Sequence, residues 1–122
     1  MPPAVRKRLI SFRHAFAGIA HVLRTQPNML IHASITVAVV AAGFLFNVSA
    51  GEWVGLVIAI GMVWTAELIN TAVETTVDLV TDEVHPLAKI AKDVAAGAVL
   101  ISAITAVVIG LIIFLPYLLK GI

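Results

Sequence analysis

The sequence predicts an all-α integral membrane protein in which an N-terminal surface helix precedes three transmembrane helices. Three observations predict this class. Hydrophobic residues make up 61% of the 122 residues and charged residues only 12%, which is unlike an ordinary soluble domain. Apolar stretches long enough to cross a bilayer recur along the chain. The basic residues lie almost entirely beside the ends of these stretches, as they do in membrane proteins.

Residues 4–25 predict an amphipathic helix that lies on the membrane surface. Its apolar residues recur at helical spacing, and its basic residues and histidines lie on other faces. The apolar face consists of Val5, Leu9, Phe12, Phe16, Ile19 and Leu23. The charged residues interrupt any apolar core of a signal peptide, so we expect this segment to be retained. The helix is either a basic anchor alone or also a cover over the mouth of a polar site.

The three predicted spans cover about residues 29–47, 53–80 and 87–119. Pro27 precedes the first span, a polar turn separates the first two, and Pro86 suits the start of the third helix. The second span is longer than the hydrocarbon core, so its last two turns should emerge into the headgroup layer. The chain has neither an internal repeat nor a low-complexity linker, so residues 1–122 are interpreted as one domain.

The distribution of positive charge predicts the orientation. Five basic residues precede the first span, and two more, Lys89 and Lys92, follow the 80–86 loop. Lys120 alone lies on the other side. Because positive residues favour the cytoplasmic side, we expect a cytoplasmic N-terminus and a cytoplasmic second loop. Glu52 and Lys120 are interpreted as ordinary charges of the outer face.

A polar stripe interrupts the second span. At 100° per residue, Glu67, Asn70, Thr71, Glu74 and Asp78 fall on one face of a helix. Carboxylates at membrane depth are costly and are kept only with partners or in a wet cavity. The stripe is therefore a functional-site hypothesis. His32, in the otherwise uncharged first span, is interpreted as an interfacial or helix-packing residue.

Polar residues at the cytoplasmic ends of the second and third spans suit phosphoryl transfer. Carboxylates one or two helical turns apart bind Mg²⁺, and a lysine supplies positive charge to a transferring phosphoryl group. A deeper carboxylate can accept the proton of a lipid hydroxyl. The residues that would do this are Glu67, Asn70, Glu74, Asp78, Glu83, His85, Lys92 and Asp93.

An ion- or proton-translocating membrane protein is an alternative of equal weight on the polar pattern alone. Against it, the polar groups cluster at one end of the spans, and the outer halves are apolar. The glycine-rich motifs of common soluble nucleotide sites are missing from the sequence, so a nucleotide would bind in another way. The absence of cysteine excludes thiolate metal sites and cysteine nucleophiles.

Residues 67–100, ELINTAVETTVDLVTDEVHPLAKIAKDVAAGAVL, closely resemble the prokaryotic diacylglycerol kinase family, which includes undecaprenol kinases. The motifs that carry the resemblance are E-x-x-N-[TS]-A-[VI]-E-x-x-x-D and A-K-D. The resemblance implies a lipid kinase of the prokaryotic inner or plasma membrane that uses ATP and Mg²⁺. It also implies a homotrimer with active sites shared between subunits. The TQPNMLIH and HPLAKIAKD stretches resemble the branch that favours undecaprenol, with diacylglycerol as the alternative acceptor.

The resemblance also implies roles for the acidic residues. Glu67 matches the catalytic base of the family, and Asn70 matches a neighbour that supports it. Glu74 matches the metal-binding glutamate. Family members often have a second metal-binding glutamate before the first span, and Gln26 stands at that position here. Its amide oxygen can accept an ion but contributes no charge.

The nucleotide-binding residues implied by the resemblance lie mainly at the second loop and the start of the third helix. They are Glu83, His85, Lys92 and Asp93, with Asp78 as a supporting acid. Lys89 lies among them but is interpreted as a membrane-side anchor. Apart from the resemblance, His14 on the surface helix is a further candidate contact over the nucleotide, with a solvated side chain as the alternative.

Overall fold

The computed structural model describes residues 1–121, and these form four α-helices without strands. The helices are α1 (Pro3–Thr25), α2 (Pro27–Leu45), α3 (Ala50–Val80) and α4 (Pro86–Leu119). Within the described residues, α2, α3 and α4 are long and apolar enough to cross a membrane. The all-helical class and the three predicted spans are therefore confirmed. The helix predicted over residues 4–25 is present as α1, and its position on a membrane surface stays a prediction.

The starts of the helices follow from local sequence. Pro3, Pro27 and Pro86 occupy the first turns of α1, α2 and α4, where the missing proline N–H costs no helical hydrogen bond. At the start of α3, the Ser49 hydroxyl accepts from the Glu52 N–H at 3.2 Å, and the Glu52 carboxylate accepts from the Ser49 N–H at 2.9 Å. This capping box starts α3 at Ala50, three residues before the predicted boundary.

α3 is the central helix of the subunit. It packs most extensively against α4, less extensively against α2, and it also contacts α1. In the most apolar 18-residue windows of the spans, 33% of α3 is buried, compared with 11% of α2 and of α4. The other two spans therefore leave most of their apolar side chains exposed on the surface of the described residues.

The outer ends of the spans, far from the 81–85 loop, form a compact cluster. Val48, Leu56 and Ile113 are buried there, and Phe46 lies 5.9 Å from Phe114 between ring centres. The Tyr117 hydroxyl donates to the Glu52 carboxylate at 2.5 Å, which joins α4 to α3. The interpretation of Glu52 as an ordinary outer-face charge was therefore wrong, because its carboxylate both caps α3 and accepts this bond.

A close approach between α2 and α3 depends on a glycine. A Cβ atom at Gly43 would lie 2.5 Å from the Trp53 ring, so any side chain there would require the Trp53 ring to shift from its position against α2. The centres of the Trp53 and Phe44 rings also lie 4.9 Å apart. These contacts fix the outer ends of α2 and α3 against each other, while the polar stripe lies toward their other ends.

Candidate active site

The predicted stripe on α3 runs from a buried to an exposed environment. Glu67, Asn70 and Thr71 are buried, with Glu67 only 1% exposed, whereas Glu74 is half-buried and Asp78 is exposed. The Asn70 amide nitrogen donates to Glu74 Oε1 at 3.4 Å, a long hydrogen bond. The burial gradient separates a deep carboxylate from a shallow one on the same face.

Two buried oxygen atoms of the stripe have no hydrogen-bond donor among residues 1–121. They are Glu67 Oε2 and Asn70 Oδ1. A buried polar atom without a partner is costly, so native proteins almost always satisfy it with protein, water or ligand. Residues 1–121 by themselves therefore leave the hydrogen-bonding capacity of the stripe unsatisfied at these two atoms.

α2 brings His32 to the deep carboxylate. His32 Nε2 lies 3.5 Å from Glu67 Oε2, and the two side chains are 16% and 2% exposed. This distance allows electrostatic attraction but is too long for a hydrogen bond of good geometry. The interpretation of His32 as a helix-packing residue was incomplete, because its ring packs against the acid of the stripe. A histidine in an otherwise uncharged span is the signal that could have indicated this pairing.

One helical turn from Glu67 and His32, a hydrogen bond fixes the relative position of α3 and α2. Trp64 Nε1 donates to Thr36 Oγ1 at 2.9 Å, and Thr36 Oγ1 donates to the His32 carbonyl at 2.7 Å. Trp64 of α3 thus packs against α2 and joins the two helices.

An apolar cleft of about 280 Å³ opens beside these residues between α2, α3 and α4. His32, Thr36 and Trp64 contribute its polar atoms, and aliphatic residues such as Leu56, Val63 and Val107 line the rest. Because His32 lines the cleft and also approaches Glu67, a hydrocarbon chain in the cleft would end near the deep carboxylate.

A second cavity, of about 310 Å³, lies at the 81–85 loop and is open and charged. It brings together five of the residues predicted to bind nucleotide, namely Asp78, Glu83, His85, Lys92 and Asp93. We call it the loop groove. Glu67, Asn70, Glu74, Gln26 and His14 are not among the described residues that line it. The predicted site thus consists of two parts, the buried stripe and the loop groove.

Ion pairs and a cap hold the loop groove together. Lys92 Nζ lies 2.6 Å from Asp78 Oδ1 and ties α4 to α3, and Lys89 Nζ lies 2.5 Å from Asp93 Oδ2 within α4. His85 Nδ1 accepts from the Leu87 N–H at 3.1 Å and so caps α4. Lys89, interpreted as a membrane-side anchor, thus pairs with a residue of the predicted nucleotide set.

The remaining two predicted residues lie on or beside α1. Gln26 is half-buried at the junction of α1 and α2, and His14 is exposed on α1. In the part of the chain that the structure describes, no three histidine or acidic side chains are grouped closely enough to hold a metal ion. Glu74 is half-buried beside Asn70, and the binding of Mg²⁺ by Glu74 and Gln26 stays a prediction.

Similarity to known proteins identifies the family of this chain. The family profile described as Prokaryotic diacylglycerol kinase matches residues 13–114. The chain belongs to the prokaryotic diacylglycerol kinase family. It is 51% identical over 108 residues to an undecaprenol kinase of Bacillus subtilis, covering 88% of each protein. It is 47% identical over 113 residues to a diacylglycerol kinase of Synechocystis, covering 92% of this chain and 65% of that protein.

A more distant relative, a diacylglycerol kinase of Escherichia coli, is 39% identical over 75 residues and matches 62% of this chain and 61% of its own. The resemblance to the prokaryotic diacylglycerol kinase family is therefore confirmed over most of the chain. The protein is a lipid kinase, which is a phosphotransferase, and not the ion-translocating protein that the polar pattern alone left open.

The burial gradient of the stripe predicts a gradient of thiol reactivity. The chain contains no cysteine, so a single introduced thiol can be followed without background. We expect Asp78→Cys and Glu83→Cys to react with a water-soluble maleimide at least about tenfold faster than Glu67→Cys, because a thiol must be exposed to react. Labelling after denaturation in SDS, which should be equal for all three variants, is the control. Equal rates in the folded protein would contradict the burial of position 67.

Proposed function

We propose that the protein is an ATP- and Mg²⁺-dependent kinase that phosphorylates the primary hydroxyl of undecaprenol at the cytoplasmic face of a prokaryotic membrane. One observation carries this proposal. Glu67 is a buried acid with an oxygen that has no hydrogen-bond partner among residues 1–121. His32, 3.5 Å from that oxygen, lines the apolar cleft, and Asp78, further along the same helix as Glu67, lines the charged loop groove. Such a carboxylate suits a reaction in which one substrate is a membrane lipid and the other is water-soluble.

The acceptor is proposed from the likeness to the Bacillus subtilis undecaprenol kinase, which extends over 88% of both chains. The apolar cleft supports a lipid acceptor, since it offers a hydrocarbon chain a route to His32 and Glu67. Diacylglycerol is the second candidate, favoured by the relatives that are named diacylglycerol kinases. Both acceptors have a primary hydroxyl at the same depth, so the same carboxylate would serve either.

In the proposed reaction, Glu67 accepts the proton of the lipid hydroxyl as the hydroxyl oxygen bonds to the γ-phosphorus of ATP. The bond between that phosphorus and the bridging oxygen breaks, and ADP leaves with the electron pair. Asn70, one turn from Glu67 on α3, is proposed to support this step, and its amide nitrogen donates to Glu74 Oε1. Bound Mg²⁺ supplies positive charge to the phosphate oxygens. Positioning and electrostatic stabilisation account for most of the catalysis in reactions of this kind.

The proposed metal-binding residues are Glu74 and Gln26. Glu74 lies seven residues from Glu67, a rise of about 10.5 Å along the helix. This separation lets Glu74 reach the phosphates of a nucleotide in the headgroup layer while Glu67 reaches the lipid hydroxyl. Gln26 offers only a neutral carbonyl oxygen, so Glu74 supplies the charge of the pair.

The nucleotide is proposed to bind in the loop groove, with Lys92 as the cation nearest its phosphates. Asp78 holds Lys92 at 2.6 Å and so limits the conformations of the lysine before the nucleotide arrives. The other proposed contacts are Glu83, His85 and Asp93, together with His14 from α1. This assignment requires a cytoplasmic loop, which is the orientation that the positive residues predict.

We also propose that the protein is a homotrimer whose active sites are shared between subunits. Support comes from the buried Asn70 Oδ1, which lacks a donor among residues 1–121, and from the many exposed apolar residues of α4. Native mass spectrometry of the detergent-solubilised protein should give three copies of the chain. A fully active monomer would contradict this assembly, because one three-span subunit cannot wall off the stripe from lipid.

The acceptor assay tests the proposed reaction. Purified protein in mixed micelles should transfer the γ-phosphate of ATP to undecaprenol, and removal of Mg²⁺ with EDTA should abolish the transfer until Mg²⁺ is restored. We expect kcat/KM for undecaprenol to exceed that for diacylglycerol by about tenfold, a difference of about 1.4 kcal/mol in transition-state binding. Preference for diacylglycerol would establish the second candidate. If undecaprenol, shorter polyprenols and diacylglycerol all stay unphosphorylated, the proposed function is wrong.

The two carboxylates should respond differently to substitution. Glu67→Gln should lower kcat by about 10²- to 10⁴-fold and leave MgATP binding nearly intact, because it removes a proton acceptor. Glu74→Gln should raise the Mg²⁺ and MgATP concentrations required for half-maximal rate as well as lowering kcat. Gln26→Glu should tighten Mg²⁺ binding by adding a charge. Initial rates over a grid of Mg²⁺ and ATP concentrations measure all three effects. The same purely binding defect in both glutamate variants would refute the division of roles.

A further inference from the structure

We infer that His32 is a positioning residue for Glu67: it donates its Nε2–H to Glu67 Oε2 and thereby directs Oε1 toward the lipid hydroxyl. This inference rests on the proposed function, in which Glu67 accepts the proton of the lipid. The proton goes from the lipid oxygen to Glu67 and does not pass to His32. His32 acts only through the carboxylate that it orients.

Geometry and burial support the pairing. His32 Nε2 and Glu67 Oε2 lie 3.5 Å apart, with side-chain exposures of 16% and 2%. Among residues 1–121, Glu67 Oε2 has no hydrogen-bond donor, so the imidazole is the group placed to supply one. Catalytic hydrogen bonds are often long before substrate binds and shorten in the reactive complex. A shift of a few tenths of an ångström would bring this pair into hydrogen-bond range.

The contact between Trp64 and Thr36 shows that the pairing is built into the helix packing. Trp64 and Glu67 are three residues apart on α3, and Thr36 and His32 are four residues apart on α2, so each pair lies on one face of its helix. The 2.9 Å bond from Trp64 Nε1 to Thr36 Oγ1 therefore sets the register that places His32 opposite Glu67. Thr36 also bonds to the His32 carbonyl, which continues the polar contact along α2.

A buried base benefits from such a partner. A carboxylate without fixed hydrogen bonds can rotate, and a misdirected oxygen lowers the rate even when substrate binds normally. A hydrogen bond to a charged acceptor is stronger than a neutral one, and the poorly solvated surroundings of α2 and α3 strengthen it further. The competing explanation is that His32 only fills space between the helices. That role would be served equally well by an apolar side chain of similar size.

The test compares His32→Leu with His32→Gln. Leu fills the space without a donor, whereas the Gln amide can place a donor near the position of Nε2. We expect His32→Leu to lower kcat by about 10- to 100-fold with the KM for MgATP nearly unchanged, and His32→Gln to recover most of the loss. Ser34→Ala is the matched control, because Ser34 is exposed on the same helix and bonds only to the Leu30 carbonyl. Its kcat should equal that of the wild type.

The results separate this inference from the proposed function. Normal kcat in His32→Leu, with Glu67→Gln inactive, would overturn the role of His32 and leave the proposed function intact. Equal impairment of the Leu and Gln variants, or a defect only in the KM for MgATP, would also overturn it. An inactive wild-type protein would overturn both. Circular dichroism and size-exclusion chromatography verify folding, and His32→Met, an adaptable apolar residue, replaces the Leu variant if that protein does not fold.

Discussion

The structure depends on the cost of keeping the Glu67 carboxyl group among apolar helices. A buried ionisable group without partners is expensive, and a membrane offers little water to compensate. Glu67 lies on the central helix, and His32 Nε2 of α2 lies 3.5 Å from its Oε2 atom. A hydrogen bond between Trp64 and Thr36 joins the same two helices. Asn70 Oδ1, one turn from Glu67 on α3, is also buried and has no donor among residues 1–121.

The acidic residues of the polar stripe differ in burial along α3. Glu67 is buried near His32, which lines the apolar cleft. Glu74 is half-buried about two turns nearer the loop, and Asp78 is exposed at the loop groove. In the proposed reaction, the lipid hydroxyl would meet the buried part of the stripe, and the charged nucleotide would meet its exposed part. One amphipathic stripe can therefore serve both substrates, because a helix changes its environment continuously as it leaves the membrane.

The two ends of the subunit are built differently. At the outer end, Gly43 lets Trp53 approach α2 closely, and Tyr117 binds the Glu52 carboxylate that caps α3. At the other end, charged residues line an open groove that Lys92 and Asp78 hold together across two helices. Close packing resists displacement of the helices, whereas an exposed ion pair contributes little to stability and can exchange partners. The closely packed end therefore holds the helices in position, and the end with the loop groove has space for ligands.

The sequence by itself determined the helical class, the three spans, the polar stripe and the family, because these depend on local periodicity, hydropathy and motif spacing. It also indicated most residues of the loop groove, since residues 78–93 are near each other along the chain. Only the tertiary structure decided that His32 approaches Glu67 and that Tyr117 binds Glu52, partners that lie 35 and 65 residues apart. Such contacts depend on the register and rotation of one helix against another, which side-chain packing sets and which the pattern of a single helix does not contain.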